Sequence, residues 1–129
     1  SRTVEESSIY VSKEKIIKTL IFVDNTGNPF ALILRGIDKA DFKKLKKFLN
    51  IKDVRLANEE EVLKFSGFET GAVTPIFFKK IDKILMDRNV LKLEEVYAGG
   101  GKRNLLMKIS VKDIIRLTNC SIGDFSKWN

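Results

Sequence analysis

The feature that most constrains the fold is an apolar run over residues 16–23, in which Lys18 is the one charged side chain. The run reads Ile-Ile-Lys-Thr-Leu-Ile-Phe-Val and is apolar at both odd and even positions. Because a strand directs alternate side chains to opposite faces, this pattern predicts a β-strand covered on both sides. A lysine in such a strand either extends into water or faces a cleft that holds a negative partner.

The rest of the chain alternates between short strands and short helices. Residues 24–29 are typical of a hairpin turn, and residues 30–34 predict the antiparallel strand that returns from it. Further extended segments are predicted at residues 53–57, 76–82, 95–98 and 105–109. Capping residues predict a short helix from Thr3 and Glu6, and helices over residues 41–49, 58–66 and 110–117. The residues from Cys120 to Trp128 are expected to lie back on the core.

This order of elements predicts an α+β fold, with a mixed, mostly antiparallel sheet and helices packed on its faces. The 129 residues are expected to form a single domain, residues 1–129. No stretch approaches the ~20 apolar residues of a membrane span. One cysteine, Cys120, cannot form an internal disulfide, and there is no secretory leader, so a cytoplasmic protein is expected.

The absence of histidine limits the chemistry that the chain can perform. It excludes the usual general base, histidine-activated nucleophiles and imidazole-bound zinc. The net charge of +7 favours a polyanionic partner, although a lysine-rich surface that only maintains solubility has the same composition. The lysines at 43, 44, 46 and 47 lie opposite the apolar face of their helix without an aromatic residue among them, which favours a solvated surface.

Two glycine-rich segments are candidates for a binding site. In residues 67–75, two glycines and Pro75 interrupt a helical pattern and predict a shaped loop that presents main-chain N–H groups, or else a plain connection. In residues 99–103, three glycines precede two cations, so the turn could bind an anion. Its spacing is that of neither a phosphate-binding loop nor a dinucleotide fingerprint.

Five motifs in sequence order carry a resemblance to a known family. They are Ile17-Lys-Thr-Leu20, Asp53-Val-Arg-Leu-Ala57, Gly71-Ala-Val-Thr-Pro75, Asp82 and Tyr97-Ala-Gly-Gly-Gly-Lys-Arg103. With these motifs the chain resembles the YbaK/ProX aminoacyl-tRNA editing domains and is similar to the editing insertion of bacterial prolyl-tRNA synthetases. The resemblance runs from about residue 3 to residue 125, so the family's first N-terminal elements are expected to be missing or shortened.

The resemblance implies an enzyme that hydrolyses the ester joining a wrong amino acid to the terminal ribose of tRNA, without a metal or cofactor. Lys18 matches the family's essential lysine, which is thought to hold a phosphate of the acceptor end. The implied substrate-binding residues are Gly71, Ala72, Val73, Thr74, Pro75, Asp82, Gly99, Gly100 and Gly101. Lys102 and Arg103 are the implied tRNA-binding residues, and the implied partners are tRNA and an aminoacyl-tRNA synthetase, with no membrane.

Two functions remain open from the sequence. Lys18 with an intact loop favours a freestanding trans-editing deacylase. The alternative is a non-catalytic tRNA-binding or synthetase-associated module of the same fold. The chain departs from YbaK-like members at Gly99, where they carry serine, and at Leu106, where they carry aspartate, so the edited amino acid is not carried over from them.

Overall fold

The computed structural model describes residues 11–128, which form seven strands and three α-helices. The strands are β1 (Ile17–Asp24), β2 (Pro29–Arg35), β3 (Val54–Leu56), β4 (Ile84–Asp87), β5 (Glu95–Gly99), β6 (Leu106–Ser110) and β7 (Ser121–Gly123). The helices are α1 (Phe42–Leu49), α2 (Glu59–Ser66) and α3 (Val111–Thr118), and short 3-10 turns cover Lys13–Lys15 and Arg88–Lys92. The predicted helix from Thr3 and Glu6 lies outside the described residues.

Five strands form one sheet in the order β3-β1-β2-β4-β7, and β5 and β6 form a separate hairpin. β1 pairs antiparallel with both β2 and β3, whereas the β2–β4 and β4–β7 pairs are parallel. β5 and β6 pair antiparallel, and a bridge between Ile16 and Tyr97 joins this hairpin to the start of β1. The predicted α+β fold with a mixed, mostly antiparallel sheet is confirmed.

β1 and β2 carry packed side chains on both faces, as the apolar run predicts. On one face, Phe22, Leu32 and Leu34 pack with Leu45 of α1. On the other face, Ile21 and Ala31 pack with Val62 of α2, and Ile17 and Ile33 pack with Ile114 of α3. The helices therefore cover both faces of the sheet, with α1 on one side and α2 and α3 on the other.

The helices begin and end where the sequence predicts, because local side-chain bonds determine their ends. Asn58 and Glu61 form a reciprocal capping box at the start of α2, and Gly67 ends that helix with φ of 86°. The side chain of Asp41 accepts a hydrogen bond from Lys44 N, and that of Ser110 accepts one from Asp113 N.

The segment after α3 returns to the sheet, as predicted, and is held there by buried polar contacts. β7 adds an edge strand, Cys120 packs partly against the α3 core, and Phe125 is fully buried in the α1 core. The Phe125 N–H donates to the buried carboxylate of Asp87 over 2.8 Å. The prediction that the lysines of α1 are all solvated is wrong for Lys44. Its Nζ lies 3.0 Å from Asp124 Oδ1 and 2.7 Å from Ser126 O.

The strand predicted over residues 76–82 is wrong. The main-chain N–H groups of Lys79 and Lys80 donate to Ser66 O and Phe65 O at the end of α2, over 3.1 and 2.8 Å, instead of to a strand. The alternating pattern there reflects burial of Ile76 and Ile81 beneath an irregular segment. The strand that joins the sheet is β4, which begins at Ile84.

Candidate functional site

A cavity of about 690 Å³ opens along the free edge of β1. β3 pairs only with Phe22–Asp24 of β1, and the Ala57 N–H donates to Ile21 O, which places odd-numbered main-chain groups on this edge. The main-chain N–H and C=O groups of Thr19 therefore face a gap, because no described strand pairs with β1 at this residue. The cavity wall comprises residues 17–21 of β1, residues 56–59 and Val62 around the start of α2, Thr70, Gly71 and Val73 of the glycine loop, and Gly99 and Leu106.

The glycine loop, residues 71–75, is shaped by its own hydrogen bonds. Gly71 has φ of 89°, and the Ala72 N–H donates to Glu69 O over 2.9 Å. The hydroxyl of Thr74 donates to Ile76 O over 2.5 Å, and Ala72, Thr74 and Pro75 are all buried. A buried loop of this kind keeps its main-chain groups in one arrangement, which a binding site requires.

The glycine turn, residues 99–103, packs directly against the glycine loop. The Gly101 N–H donates to Ala72 O over 2.9 Å. A Cβ on Gly99 would lie 2.1 Å from Val73 O, far inside van der Waals contact. Glycine is therefore required at position 99 by the close approach of the two main chains. The structure brings together two motifs that are 28 residues apart when counted from Gly71 to Gly99.

Main-chain donors are available where the loop borders the cavity. The N–H groups of Gly71 and Val73 donate to no residue within the described range 11–128, and both residues line the cavity. Gly71 is exposed and Val73 is half-buried, so a ligand oxygen can reach this part of the loop and accept hydrogen bonds from it. Two donors of this kind can stabilise negative charge that develops on a carbonyl oxygen.

Lys18 also lines the cavity, but its ammonium is bound at the end of β2. Its Nζ donates to Gly36 O over 3.2 Å and to Asp38 O over 2.5 Å. Lys18 shares a strand face with Leu20, on the α1 side, whereas Val73 packs on the opposite face with Ile21. The ammonium and the glycine loop thus border the cavity from opposite faces of β1.

The surroundings of Lys18 disfavour its charge, yet supply a carboxylate nearby. Burial lowers the pKa of Lys18 below its usual value, the Asp38 carboxylate opposes this shift, and Lys39 adds to it. Asp38 is 2% exposed and accepts hydrogen bonds from Arg35 Nε over 2.8 Å and Arg35 Nη2 over 3.2 Å. The Arg35 hydrogen bonds are the main reason that the pKa of Asp38 is lowered. The turn that holds the ammonium is therefore fixed by a buried ion pair.

The other predicted site residues lie outside the cavity wall. Gly100 and Gly101 support the turn, while Lys102 and Arg103 are exposed at its tip. Arg103 Nε lies 3.5 Å from Glu69 Oε2, and since both side chains are about two-thirds exposed this pair contributes little to stability. Asp82 is exposed in the irregular segment after the loop and does not reach the cavity wall.

Thr19 is a cavity residue that the sequence pattern did not single out. Its Oγ1 is buried and, among residues 11–128, has no hydrogen-bond partner. In the sequence, Thr19 is only a polar residue within an apolar run. The charged Lys18 beside it is the more unusual residue in such a run and indicated a site more strongly. An unpaired buried hydroxyl reduces the stability of the free protein.

Thr19→Val is expected to raise the free energy of unfolding by about 1 kcal/mol, because a methyl group replaces a hydroxyl that has no partner. Urea denaturation measures the change. Thr118→Val is the matched control, since the Thr118 hydroxyl donates to Ile114 O over 2.7 Å, and no gain is expected there. A loss of stability in Thr19→Val would show that its hydroxyl is hydrogen-bonded in the free protein.

The described residues offer no metal centre: within residues 11–128, no three His, Cys, Asp or Glu side chains lie together as metal ligands. In this part of the chain, no helix has the length and hydrophobicity needed to cross a membrane.

An α+β domain with main-chain donors on a cavity wall, and cations at the tip of a glycine turn, is an arrangement suited to an anionic or carbonyl-bearing ligand. Comparison with known proteins specifies the class further. The chain matches the aminoacyl-tRNA editing domain over residues 1–117 and belongs to that family. The resemblance seen in the five motifs is confirmed.

Individual relatives fall into two kinds. A "Proline--tRNA ligase" of Syntrophus aciditrophicus (strain SB) is 31% identical over 106 residues, which cover 81% of this chain and 18% of the ligase. A protein of Enterococcus faecalis (strain ATCC 700802 / V583) named "Putative Cys-tRNA(Pro)/Cys-tRNA(Cys) deacylase EbsC" is 27% identical over 120 residues, covering 93% of this chain and 71% of that protein. This chain therefore corresponds to a small part of the ligase and to most of the deacylase.

A solved structure has the same fold as this chain. The crystal structure of "a putative trans-editing enzyme for prolyl tRNA synthetase" superposes with a TM-score of 0.84 at 26% sequence identity. The match covers 98% of this chain and 81% of that one. The fold described above is thus shared by the two proteins over nearly the whole of this chain.

Proposed function

We propose that this chain is an aminoacyl-tRNA deacylase that removes a wrong amino acid from tRNA in trans. The observation that carries the proposal is the pair of main-chain N–H groups, of Gly71 and Val73, on the wall of the β1-edge cavity, which donate to no residue among residues 11–128. Family membership supports it, as do the relatives whose names describe deacylation and trans-editing. The proposed substrate is a mischarged aminoacyl-tRNA, and the proposal includes a cytoplasmic location and an aminoacyl-tRNA synthetase as a second partner.

The proposed reaction is hydrolysis of the ester between the amino acid and the terminal ribose. A water oxygen attacks the carbonyl carbon, the bond to the ribose oxygen breaks, and the proton of the water passes to that ribose oxygen. The N–H groups of Gly71 and Val73 donate to the carbonyl oxygen as negative charge develops on it. Because an aminoacyl ester is already activated, orientation and this stabilisation supply the barrier reduction without histidine.

The proposed role of Lys18 is to hold a phosphate of the acceptor end. Its ammonium now rests on the carbonyl oxygens of Gly36 and Asp38, beside the cavity. A phosphate is a stronger acceptor for an ammonium than a neutral carbonyl, so the lysine can exchange one or both of these bonds for the substrate. Burial around Lys18 strengthens that attraction, because fewer water molecules compete for the charge.

The experiment that tests the proposal is single-turnover deacylation over a panel of mischarged tRNAs, chiefly alanyl and cysteinyl species, against the uncatalysed rate. Glu59→Gln serves as a mechanistic control because, among residues 11–128, Glu59 alone supplies a carboxylate to the cavity wall. Its rate should remain within about threefold of the wild type if the protein supplies no carboxylate base. An uncatalysed rate with every tRNA would leave only the non-catalytic tRNA-binding module.

Binding of tRNA is expected to weaken steeply with added salt, since the chain carries a net charge of +7. Lys102→Ala should lower the slope of log affinity against log salt by roughly 0.7 to 0.9, the value for one lost phosphate contact. Lys43→Ala, on the exposed face of α1, is the control and should leave the slope unchanged. Filter binding between low and physiological salt measures both, and an affinity insensitive to salt would contradict the prediction.

A further inference from the structure

Phe77 combines two features that a bulky apolar residue rarely shows together. Its φ is 58°, in the left-handed region, and its side chain is 72% exposed. Its neighbours differ from it, since Ile76 is buried and Phe78 packs against the core around Ile21. The main chain therefore directs one ring outward between two residues that anchor the segment.

The segment that carries Phe77 is attached to the end of α2. The N–H groups of Lys79 and Lys80 bind the carbonyls of Ser66 and Phe65, which the helix leaves unpaired at its end. Gly67, which ends α2, approaches Lys79 so closely that a Cβ on the glycine would lie 3.3 Å from Lys79 Cβ. These contacts hold the exposed ring at a defined place on the surface.

The ring makes no contribution to the fold that would offset its cost. A bulky residue in the left-handed region strains the main chain, and an exposed phenylalanine keeps apolar surface in water. The contacts of the neighbouring residues fix the main chain here, but they do not require a phenylalanine, so the strained and exposed ring suggests a function. The question is then which ligand the ring contacts.

The charges around Phe77 favour an anionic ligand. Lys64, Lys79 and Lys80 are exposed, and none of them forms an ion pair with any residue in the described part of the chain. Carboxylates also lie nearby: Asp82 is in the same segment, the Lys64 charge acts on Glu61, and the Lys83 charge acts on Asp24. Lys79 and Lys80 are therefore the cations of this surface that have no carboxylate partner among residues 11–128. We define the Phe77 patch as Phe77 with Lys64, Lys79 and Lys80. An aromatic face among cations is the combination that binds single-stranded nucleic acid.

We propose that the Phe77 patch binds unpaired nucleotides, with a base stacked on the Phe77 ring and the lysines on the adjoining phosphates. The inference rests on the proposed function, since the strand would be that of the tRNA substrate as it approaches the cavity. The patch lies at one end of α2, and Asn58 and Glu59 at the other end line the cavity. Eight residues of helix separate them by about 12 Å, a distance that a short single strand spans.

Phe77→Gly tests the proposal without risk of unfolding, because glycine adopts a φ of 58° without strain. The variant should be at least as stable as the wild type in thermal melts. The probe is an uncharged RNA hairpin with four unpaired nucleotides at its 3′ end, and a blunt hairpin of the same stem is the comparison. Phe77→Gly should weaken binding of the overhang RNA by about tenfold or more, and leave binding of the blunt RNA unchanged.

Two further variants make the result specific. Phe77→Trp should retain affinity and show fluorescence quenching on adding the overhang RNA, because a base then stacks on the indole. Trp128→Ala removes another exposed aromatic residue, whose ring centroid lies 5.2 Å from Lys44 Nζ, and should leave affinity unchanged.

Unchanged affinity in Phe77→Gly, with normal deacylation, would overturn this inference alone and would leave the ring as a contact for a protein. Weakened binding in Phe77→Gly, with no deacylation by the wild type, would support the patch and overturn the proposed function. Failure of the wild type to bind either RNA would overturn both.

Discussion

Lys18→Ala is expected to reduce the single-turnover deacylation rate by about a hundredfold or more, while the melting temperature stays close to that of the wild type. The loss of rate follows from the proposed phosphate contact, which positions the ester against the Gly71 and Val73 donors. The stability expectation follows from the lowered pKa of Lys18, because the folded protein disfavours the charge that the substitution removes. Gly36 is exposed, so water can replace the ammonium at its carbonyl oxygen.

Lys18→Arg separates charge from geometry in the same experiment. A guanidinium is larger than an ammonium and orients its donors in a plane, so it should not restore the rate. Wild-type rates in Lys18→Ala would refute the proposed role. A large loss of stability in that variant would show instead that Lys18 maintains the turn at Gly36 and Asp38, and the rate would then say nothing about phosphate binding.

Gly99→Ala is expected to impair both stability and activity. Its Cβ would lie 2.1 Å from Val73 O, so the glycine loop and the glycine turn must separate by about 1 Å to reach a tolerable contact. Such overpacking typically costs about 1–3 kcal/mol of unfolding free energy. A displacement of about 1 Å at a catalytic donor can reduce the rate about a hundredfold. Urea denaturation and single-turnover deacylation measure the two effects.

Gly27→Ala is the matched control for Gly99→Ala. Gly27 lies in the β1–β2 turn with φ of 87°, and a Cβ there would contact nothing within 4 Å. The substitution should cost about 1–2 kcal/mol through main-chain strain, and it should leave the deacylation rate unchanged. A wild-type rate in Gly99→Ala would mean that the position of Val73 is unimportant for catalysis, which contradicts the oxyanion role of its N–H.

The same contact bears on the serine that the resemblance to YbaK-like members implies at position 99. With the loop as close as it is here, a serine at position 99 would place its Cβ against Val73 O. Leu106, the other departure, lies in the cavity wall, where it adds apolar surface. The two departures thus change the wall of the cavity and leave its main-chain donors in place.

Local chemistry determined much of the fold from the sequence alone. The strand over residues 16–23, the hairpin turn after it and the helix ends at Asn58 and Gly67 all depend on residues within a few positions of each other. The motifs at Lys18, at the glycine loop and at the glycine turn were recognisable for the same reason. Their membership of one family also follows from the sequence.

Only the tertiary structure decided how these parts meet. The segment over residues 76–82 has apolar and polar residues in a pattern typical of a strand. In the structure, however, carbonyl groups at the end of α2 accept hydrogen bonds from two of its N–H groups, so the segment does not join the sheet. The contact of Gly99 with Val73 and the two carbonyls that bind the Lys18 ammonium join groups at least 18 residues apart. The hydroxyl of Thr19 lacks a partner among residues 11–128, which the sequence pattern does not reveal. Sequence patterns predict which side chains are buried and where the chain turns. Hydrogen bonds between residues distant in the chain depend instead on how the elements pack together.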